Sequence, residues 1–193
     1  SIGITLVGLG SVTTDNKFMT LFSNGENSIY LRRGGTNWGM YVTGSTTYTH
    51  GANTWYAPNA TSRILFTYDA ASSRLKYYLG DPATGSYAMR ANLAVNSTVK
   101  GANNVGSSLC VGKSMDMTAG YSNQQVYWDG GVNNLIISNM VLVGPQIDEF
   151  FQTGEDFTSH EYYPDLTSYM RLGEDTYPEV SDEKGNATGA MVN

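Results

Sequence analysis

Few residues in this chain have the chemistry of a catalytic group, and they stand far apart in the sequence. A retaining glycoside hydrolase needs two carboxyl groups about 5 Å apart. On a strand such a pair would come from acids two or four residues apart, because alternate side chains share a face. The acids of residues 1–147 are instead single and mostly lie in predicted turns: Asp15, Glu26, Asp69, Asp81, Asp116 and Asp129. Later acids cluster at 154–156, 173–175 and 181–185, in predicted loops without apolar surroundings to raise a carboxyl pKa.

The two histidines and the single cysteine do not form a nucleophile–base pattern either. His50 lies in the predicted loop THGAN, and His160 begins HEYYP, which lacks the second histidine of a zinc-binding helix. Cys110 lies in a predicted strand, where a small apolar side chain suffices. No glycine-rich phosphate loop precedes a predicted helix. We therefore predict a protein that is not an enzyme and that has no cofactor.

Aromatic residues in and just before segment 45–56 form the best candidate for a ligand-binding site. Sugar sites combine an aromatic platform with a few fixed polar groups, because the ring face fits apolar C–H patches. The candidate ligand-binding residues are Trp38, Tyr48, His50, Asn53, Trp55 and Tyr56. The same residue types also fill sandwich cores and subunit interfaces. The sequence leaves these three roles open.

The composition limits the classes of partner and of fold. Only 15% of the 193 residues are charged, and the formal net charge is −6. A chain without a basic excess is poorly suited to binding nucleic acid, and no run of 18 apolar residues predicts a membrane span. The 22 glycines and 14 tyrosines are typical of a β-rich chain with many tight turns.

The charge is divided unevenly along the chain. Residues 1–147 carry nine basic and six acidic residues, whereas residues 148–193 carry eleven acidic residues against Arg171 and Lys184. We predict an acidic, Tyr-rich C-terminal arm at 156–193 that is either solvated or docked on this domain or on a neighbouring subunit. Aromatic residues are scarce in disordered tails and so favour docking. The candidate interface residues are Tyr162, Tyr163, Tyr169 and Tyr177.

Alternating apolar residues predict a series of short strands that position these groups. The predicted strands cover 2–6, 18–22, 27–33, 38–44, 63–69, 74–80, 86–93, 108–113 and 134–142. Segment 45–61 is predicted as a long loop or a short irregular strand with loops. Antiparallel hairpins are predicted at 27–44 and at 63–80, because each pair of strands is joined by four turn-forming residues.

A change in the spacing of the apolar residues, from the period of a strand to that of a helix, predicts a single short helix at 144–154. Pro145 suits the first helical position, Ile147, Phe150 and Phe151 share one helical face, and Gly154 suits the end. Many short strands at this spacing predict an all-β, two-sheet antiparallel β-sandwich over residues 1–155. The arm follows at 156–193, and its pattern is unfinished at Asn193, so we expect a fragment of a longer polypeptide.

Three motifs resemble the laminin-G-like branch of the concanavalin A-like jelly rolls. They are FTYDAASSRLKYYLGD at 66–81, SLCVGKS at 108–114 and YWDGGVNNLIISNMVLVGPQIDEFFQTG at 127–154. Their order and spacing agree with the family over residues 60–154. The final stretch, 166–193, resembles a second opening motif of the same kind. Many family members carry acidic calcium ligands near the start of the closing strand, where this chain has Asn133 and Asn134. Because losing carboxylates lowers calcium affinity, we expect that site not to be kept.

A laminin-G-like unit followed by such a tail resembles structural proteins of tailed bacteriophages. The resemblance implies a non-enzymatic virion protein, such as a capsid decoration or a tail-fibre component, whose partners are other virion subunits in an oligomer or larger assembly. The alternative is a carbohydrate-binding adhesin that recognises cell-surface glycans through segment 45–56. If the arm mediates assembly, removing 156–193 is expected to abolish assembly and to leave the sandwich folded.

Overall fold

The computed structural model describes ten parts of the chain, and strands form most of the regular structure in them. These parts are residues 1–7, 18–23, 28–34, 37–42, 48–51, 61–94, 131–152, 154, 156–172 and 179–190. The strands are β1 Ile2–Val7, β2 Phe18–Ser23, β3 Ser28–Gly34, β4 Asn37–Val42, β5 Tyr48–Gly51, β6 Ser62–Asp69, β7 Arg74–Asp81, β8 Ser86–Ala94, β9 Gly131–Ser138, β10 Leu166–Met170, β11 Glu179–Ser181 and β12 Thr188–Ala190. One α-helix, α1, spans Gly144–Phe151, and 3₁₀ turns lie at Phe157–Ser159 and Tyr163–Asp165. Within the described parts, the predicted all-β class with one short helix is confirmed.

The described strands form three antiparallel groups. The main sheet has six strands in the order β10-β9-β1-β6-β7-β8. A second sheet has four strands in the order β2-β3-β4-β5, and β11 pairs with β12. No helix in the described parts of the chain is long and apolar enough to cross a membrane.

Both predicted hairpins are present. In the main sheet β6 pairs with β7 from Arg63 opposite Gly80 to Asp69 opposite Arg74. The carboxylate of Asp69 holds the turn, because it accepts hydrogen bonds from the backbone N–H of Ala71 at 2.9 Å and from the hydroxyl of Ser72 at 2.5 Å. In the second sheet β3 pairs with β4, and β5 confirms the alternative of a short strand within 45–61.

Several element bounds differ from the prediction, and strand β9 already begins at Gly131 rather than at 134. Strand β9 ends at Ser138 rather than at 142, because Ser138 donates its N–H to the carbonyl of Ser1 at 2.8 Å and the Ser1 hydroxyl bonds the carbonyl of Met140 at 2.9 Å. Helix α1 ends at Phe151 rather than at Gly154, which has a positive φ of 115°. The predicted strand at 108–113 lies outside the described residues.

Helix α1 packs on one face of the six-stranded sheet. Its buried residues are Ile147, Phe150 and Phe151, as their spacing predicts. Two strand glycines make the close approach possible. A Cβ on Gly3 would lie 2.6 Å from two atoms of the Phe150 ring, and a Cβ on Gly80 would collide with the Phe151 ring. The sheet therefore presents two flat positions on which the paired rings rest.

The other face of the same sheet is buried as well. Ile64 and Phe66 on β6 and their partners Leu79 and Tyr77 on β7 are almost fully buried, and they alternate with the residues that face α1. The Phe66 and Tyr77 rings stack with their centres 5.0 Å apart. The sheet is therefore an inner layer of the protein.

The first part of the predicted arm belongs to this sheet. Strand β10 pairs with β9, and Phe157, Tyr162, Leu166 and Tyr169 join Phe150 in one buried cluster. This part of the arm is therefore docked on the domain, which was one of the alternatives, and the boundary between 155 and 156 stays a prediction. The physical reason is that these apolar side chains cover the same sheet face as α1.

Candidate functional site

The structure brings three of the six predicted ligand-binding residues onto two paired strands. Trp38 on β4 pairs with Gly51 on β5, and His50 on β5 pairs with Gly39. Tyr48 pairs with Tyr41, two positions further along the same ladder. Asn53, Trp55 and Tyr56 lie outside the described residues. The backbone thus places Trp38 and His50 on neighbouring rungs of the four-stranded sheet.

The predicted interface tyrosines lie mostly inside the chain. Tyr162 is 1% exposed and Tyr169 is 0% exposed, while Tyr163 is partly buried against the same cluster. Tyr177 lies outside the described residues. Packing within the chain explains the two buried rings, and contact with a partner stays a prediction.

Aromatic contacts hold this segment against α1. The ring of Phe157 stacks on that of Phe150 at 5.5 Å and meets the edge of Tyr169 at 5.7 Å. Tyr163 meets Tyr169 edge-on at 6.0 Å. Such pairs add about 0.5–1.5 kcal/mol each beyond their buried area. The segment after α1 is therefore docked through its rings on this domain.

A buried arginine, which the sequence interpretation missed, joins these parts. Arg63 on β6 is 1% exposed, and its guanidinium donates to the carbonyl oxygens of Phe150 at 3.0 Å, Gln152 and Gly154. It also lies 4.9 Å from the centre of the Phe157 ring. The cation satisfies carbonyls at the C-terminal end of α1, where a positive charge is favoured. The sequence signal that could have revealed this role is the position of Arg63 at the start of an otherwise apolar strand.

The outer edge of β10 is covered by a loop rather than by another strand. The Asp182 carboxylate accepts hydrogen bonds from the backbone N–H groups of Tyr169, Lys184, Asn186 and Ala187 at 2.8–3.1 Å. Burial alone would raise the pKa of Asp182, but these amides hold it below its usual value. Since unpaired strand edges invite association with other chains, this loop protects the edge.

The two basic residues of the acidic part of the sequence, 148–193, both contact other residues of that part. Arg171 lies 3.3 Å from Asp156 and 3.6 Å from Glu183. The ammonium of Lys184 donates to the carbonyl of Tyr163 at 3.1 Å and lies 4.4 Å from the centre of its ring. These contacts fasten the loop after β11 to the 3₁₀ turn before β10.

His160 packs against two aromatic side chains, Phe157 and Tyr162. Its ring meets Phe157 edge-on at 4.8 Å, and its Nδ1 lies 2.9 Å from the Tyr162 hydroxyl. Burial lowers the pKa of His160, and the Arg63 charge lowers it further, while Glu149 and Asp156 oppose that shift. This partly buried imidazole therefore packs against Phe157 and shares a hydrogen bond with Tyr162.

The described carboxylates mostly bind nearby backbone donors. The hydroxyl and amide of Thr158 lower the pKa of Asp156, and Ser72 and Ala71 lower that of Asp69. Such groups stay ionised, which does not suit a general acid. Within the described ranges no three His, Cys, Asp or Glu residues come close enough to hold a metal ion.

The asparagines at the expected calcium position bond within the chain. The side-chain oxygen of Asn133 accepts the backbone N–H of Asn134 at 2.8 Å, and that of Asn134 accepts the Tyr169 hydroxyl at 3.1 Å. Both amide oxygens therefore already have donors. The loss of the calcium site stays a prediction.

Comparisons with models of protein families, with curated proteins and with solved structures found no match for this chain.

Proposed function

We propose that this chain is a non-enzymatic structural protein of a virion, such as a capsid decoration or a tail-fibre component, that acts by protein–protein association. The proposal includes the finer fold, a two-sheet jelly roll of the concanavalin A type in which the four-stranded sheet covers the second buried face of the main sheet. The burial of Ile64, Phe66 and Leu79 on that face supports this arrangement. Residues of β5 also lie within 8 Å of β8, measured between Cα atoms.

One observation carries the proposal: exposed carboxylates from α1 onward lie on elements that are packed against the main sheet and hydrogen-bonded to one another. The exposed acidic residues are Asp148, Asp156, Glu161, Asp165 and Glu183. They lie on α1, on or beside the two 3₁₀ turns, and on the loop that covers β10. Arg63 and Lys184 tie these elements together. A surface that is already ordered loses little entropy when it binds a partner. Its charge favours a subunit with a basic face.

The test uses particles purified from the source of this sequence. The chain is expected in them at a fixed copy number by mass spectrometry and on the particle surface by cryo-electron microscopy. Charge reversal by Glu161→Lys with Asp165→Lys is expected to lower incorporation at least tenfold, whereas the control Asn92→Lys, on exposed β8, leaves it unchanged. Absence of the chain from washed particles contradicts the proposal.

A second function, glycan binding, is favoured by the placement of two predicted residues on one face of the four-stranded sheet. Tyr48 and His50 are two residues apart on β5 and so belong to the same face, whereas Trp38, which pairs with Gly51, belongs to the other face. In a glycan array the protein is then expected to bind a defined set of sugars, and Trp55→Ala to abolish that binding without lowering particle incorporation. An array without binding contradicts this second function and leaves the first standing.

A further inference from the structure

A β-bulge in β9 places a polar side chain inside the protein. The pairing with β1 changes from Gly3 opposite Ile136 to Thr5 opposite Asn133, so two residues of β9 share the position opposite Ile4. One of them, Asn134, has a positive φ of 51°. Asparagine tolerates this left-handed conformation better than other residues with a Cβ, and a bulge of this kind turns a side chain in a new direction.

Only one end of the Asn134 amide has a partner in the described parts of the chain. Asn134 is 2% exposed, and its Oδ1 accepts the Tyr169 hydroxyl at 3.1 Å. Its Nδ2 has no hydrogen-bond partner among the described residues. Exchanging the two amide atoms does not remove the problem, because the single Tyr169 hydroxyl would still meet only one end.

A second unpaired polar atom lies on the same part of the sheet. Thr5 is 3% exposed, and its hydroxyl has no hydrogen-bond partner among the described residues. In the register Thr5 lies opposite Asn133 on one side and Arg63 on the other. Its side chain therefore shares the sheet face that carries Arg63 and Tyr169, and Asn134 reaches the Tyr169 hydroxyl on that face.

We propose that the Asn134 amide and the Thr5 hydroxyl bind one buried water molecule. A water accepts a hydrogen bond from Nδ2 and exchanges another with the Thr5 hydroxyl, so it satisfies both atoms at once. A cation does not suit the site, because an amide N–H group does not coordinate metal and the Arg63 charge lies beside Thr5. A single anion, such as chloride, is the competing ligand.

The replacement Thr5→Val tests the proposal, because it keeps the shape and removes the hydroxyl. A hydroxyl bonded to water contributes to stability, so Thr5→Val is expected to lower Tm by about 2–4 °C. The matched control is Thr67→Val on β6, since Thr67 is also buried and its hydroxyl bonds Tyr78. An unchanged or higher Tm for Thr5→Val, with a lower Tm for the control, overturns the proposal.

Crystallography supplies an independent readout. A density peak within hydrogen-bond distance of both Thr5 Oγ1 and Asn134 Nδ2 is expected in the unaltered protein and is expected to disappear in Thr5→Val. After a bromide soak, an anomalous peak at that position overturns the water in favour of an anion. The lack of any peak between the two atoms in a well-ordered map also overturns it.

Discussion

The guanidinium of Arg63 lies 4.9 Å from the centre of the Phe157 ring, measured from its central carbon, and in the same position it donates to carbonyls in and just after the last turn of α1. One side chain of β6 thus joins the main sheet, the end of the helix and the segment that leads to β10. Burial of this cation is tolerated because three carbonyl oxygens accept its N–H groups.

Replacing this arginine is expected to destabilise the whole fold. In Arg63→Met the carbonyls of Phe150, Gln152 and Gly154 lose their shared donor, and the free energy of unfolding should fall by about 3 kcal/mol. Arg63→Lys should recover only part of it, because an ammonium cannot reproduce the forked geometry. Urea denaturation measures both, with Arg74→Met at the exposed first residue of β7 as the control. Equal stability of Arg63→Met and the control would show that the contacts are dispensable.

The close packing of the Phe151 ring on Gly80 gives a second prediction. In Gly80→Ala the new Cβ collides with the Phe151 ring and lies 2.7 Å from the Cβ of Tyr87. Overpacking of this kind should lower the free energy of unfolding by about 1–3 kcal/mol. The double variant Gly80→Ala with Phe151→Leu should lose less than the two single changes added together, because the smaller side chain leaves room. Additive losses in thermal denaturation would exclude direct coupling between these positions.

The environment of His160 predicts a stability that falls on acidification. Burial lowers its pKa in the folded state below the usual 6.5, so near and below that pH the unfolded chain binds more protons than the folded one. The stability that the neutral form of His160 contributes is therefore full well above pH 6.5 and declines as the pH falls toward the folded pKa, with Glu149 and Asp156 limiting the loss. The lowered pKa values of Asp156 and Asp182 act separately, in the range below their usual 3.8.

Urea midpoints at about pH 7.5 and about pH 5 measure this dependence. The difference between them should shrink in His160→Gln and persist in His50→Gln, which removes the only other histidine. The opposite assignment, with the slope lost in His50→Gln alone, would place the pH-sensitive group in the four-stranded sheet.

The sequence predicted those elements in which residues close together in the chain define the buried face. The alternation of β6 and β7 and the turn after Asp69 predicted their hairpin, and the spacing of Ile147 and Phe150 predicted the buried face of α1. These features depend on residues close in sequence, so a single chain carries the signal.

The tyrosines of 156–170 favoured docking, but no periodic pattern showed which of its side chains are buried. Phe157 and Tyr162 lie in or next to short 3₁₀ turns without a regular apolar period, and acidic residues surround them. Their burial depends on distant partners, chiefly Arg63 on β6 and Ile136 on β9. The uneven charge suggested an acidic arm. It did not show how the arm folds, because net charge bears on solubility and association rather than on fold. The predicted sugar site depends equally on how distant loops meet, and only its residues on β4 and β5 lie in the described part.

The buried segment changes what truncation is expected to do. From the charge pattern alone, removal of 156–193 was expected to leave a folded sandwich. The structure predicts instead that the truncated chain loses cooperative unfolding, because Phe157, Tyr162, Leu166 and Tyr169 leave the core and β9 loses a neighbour. A shorter deletion, of 191–193, spares these residues and should keep the native circular dichroism spectrum and a sharp transition. If the chain truncated after residue 155 melts as sharply as the shorter deletion, the packed segment is an appendage and not part of the core.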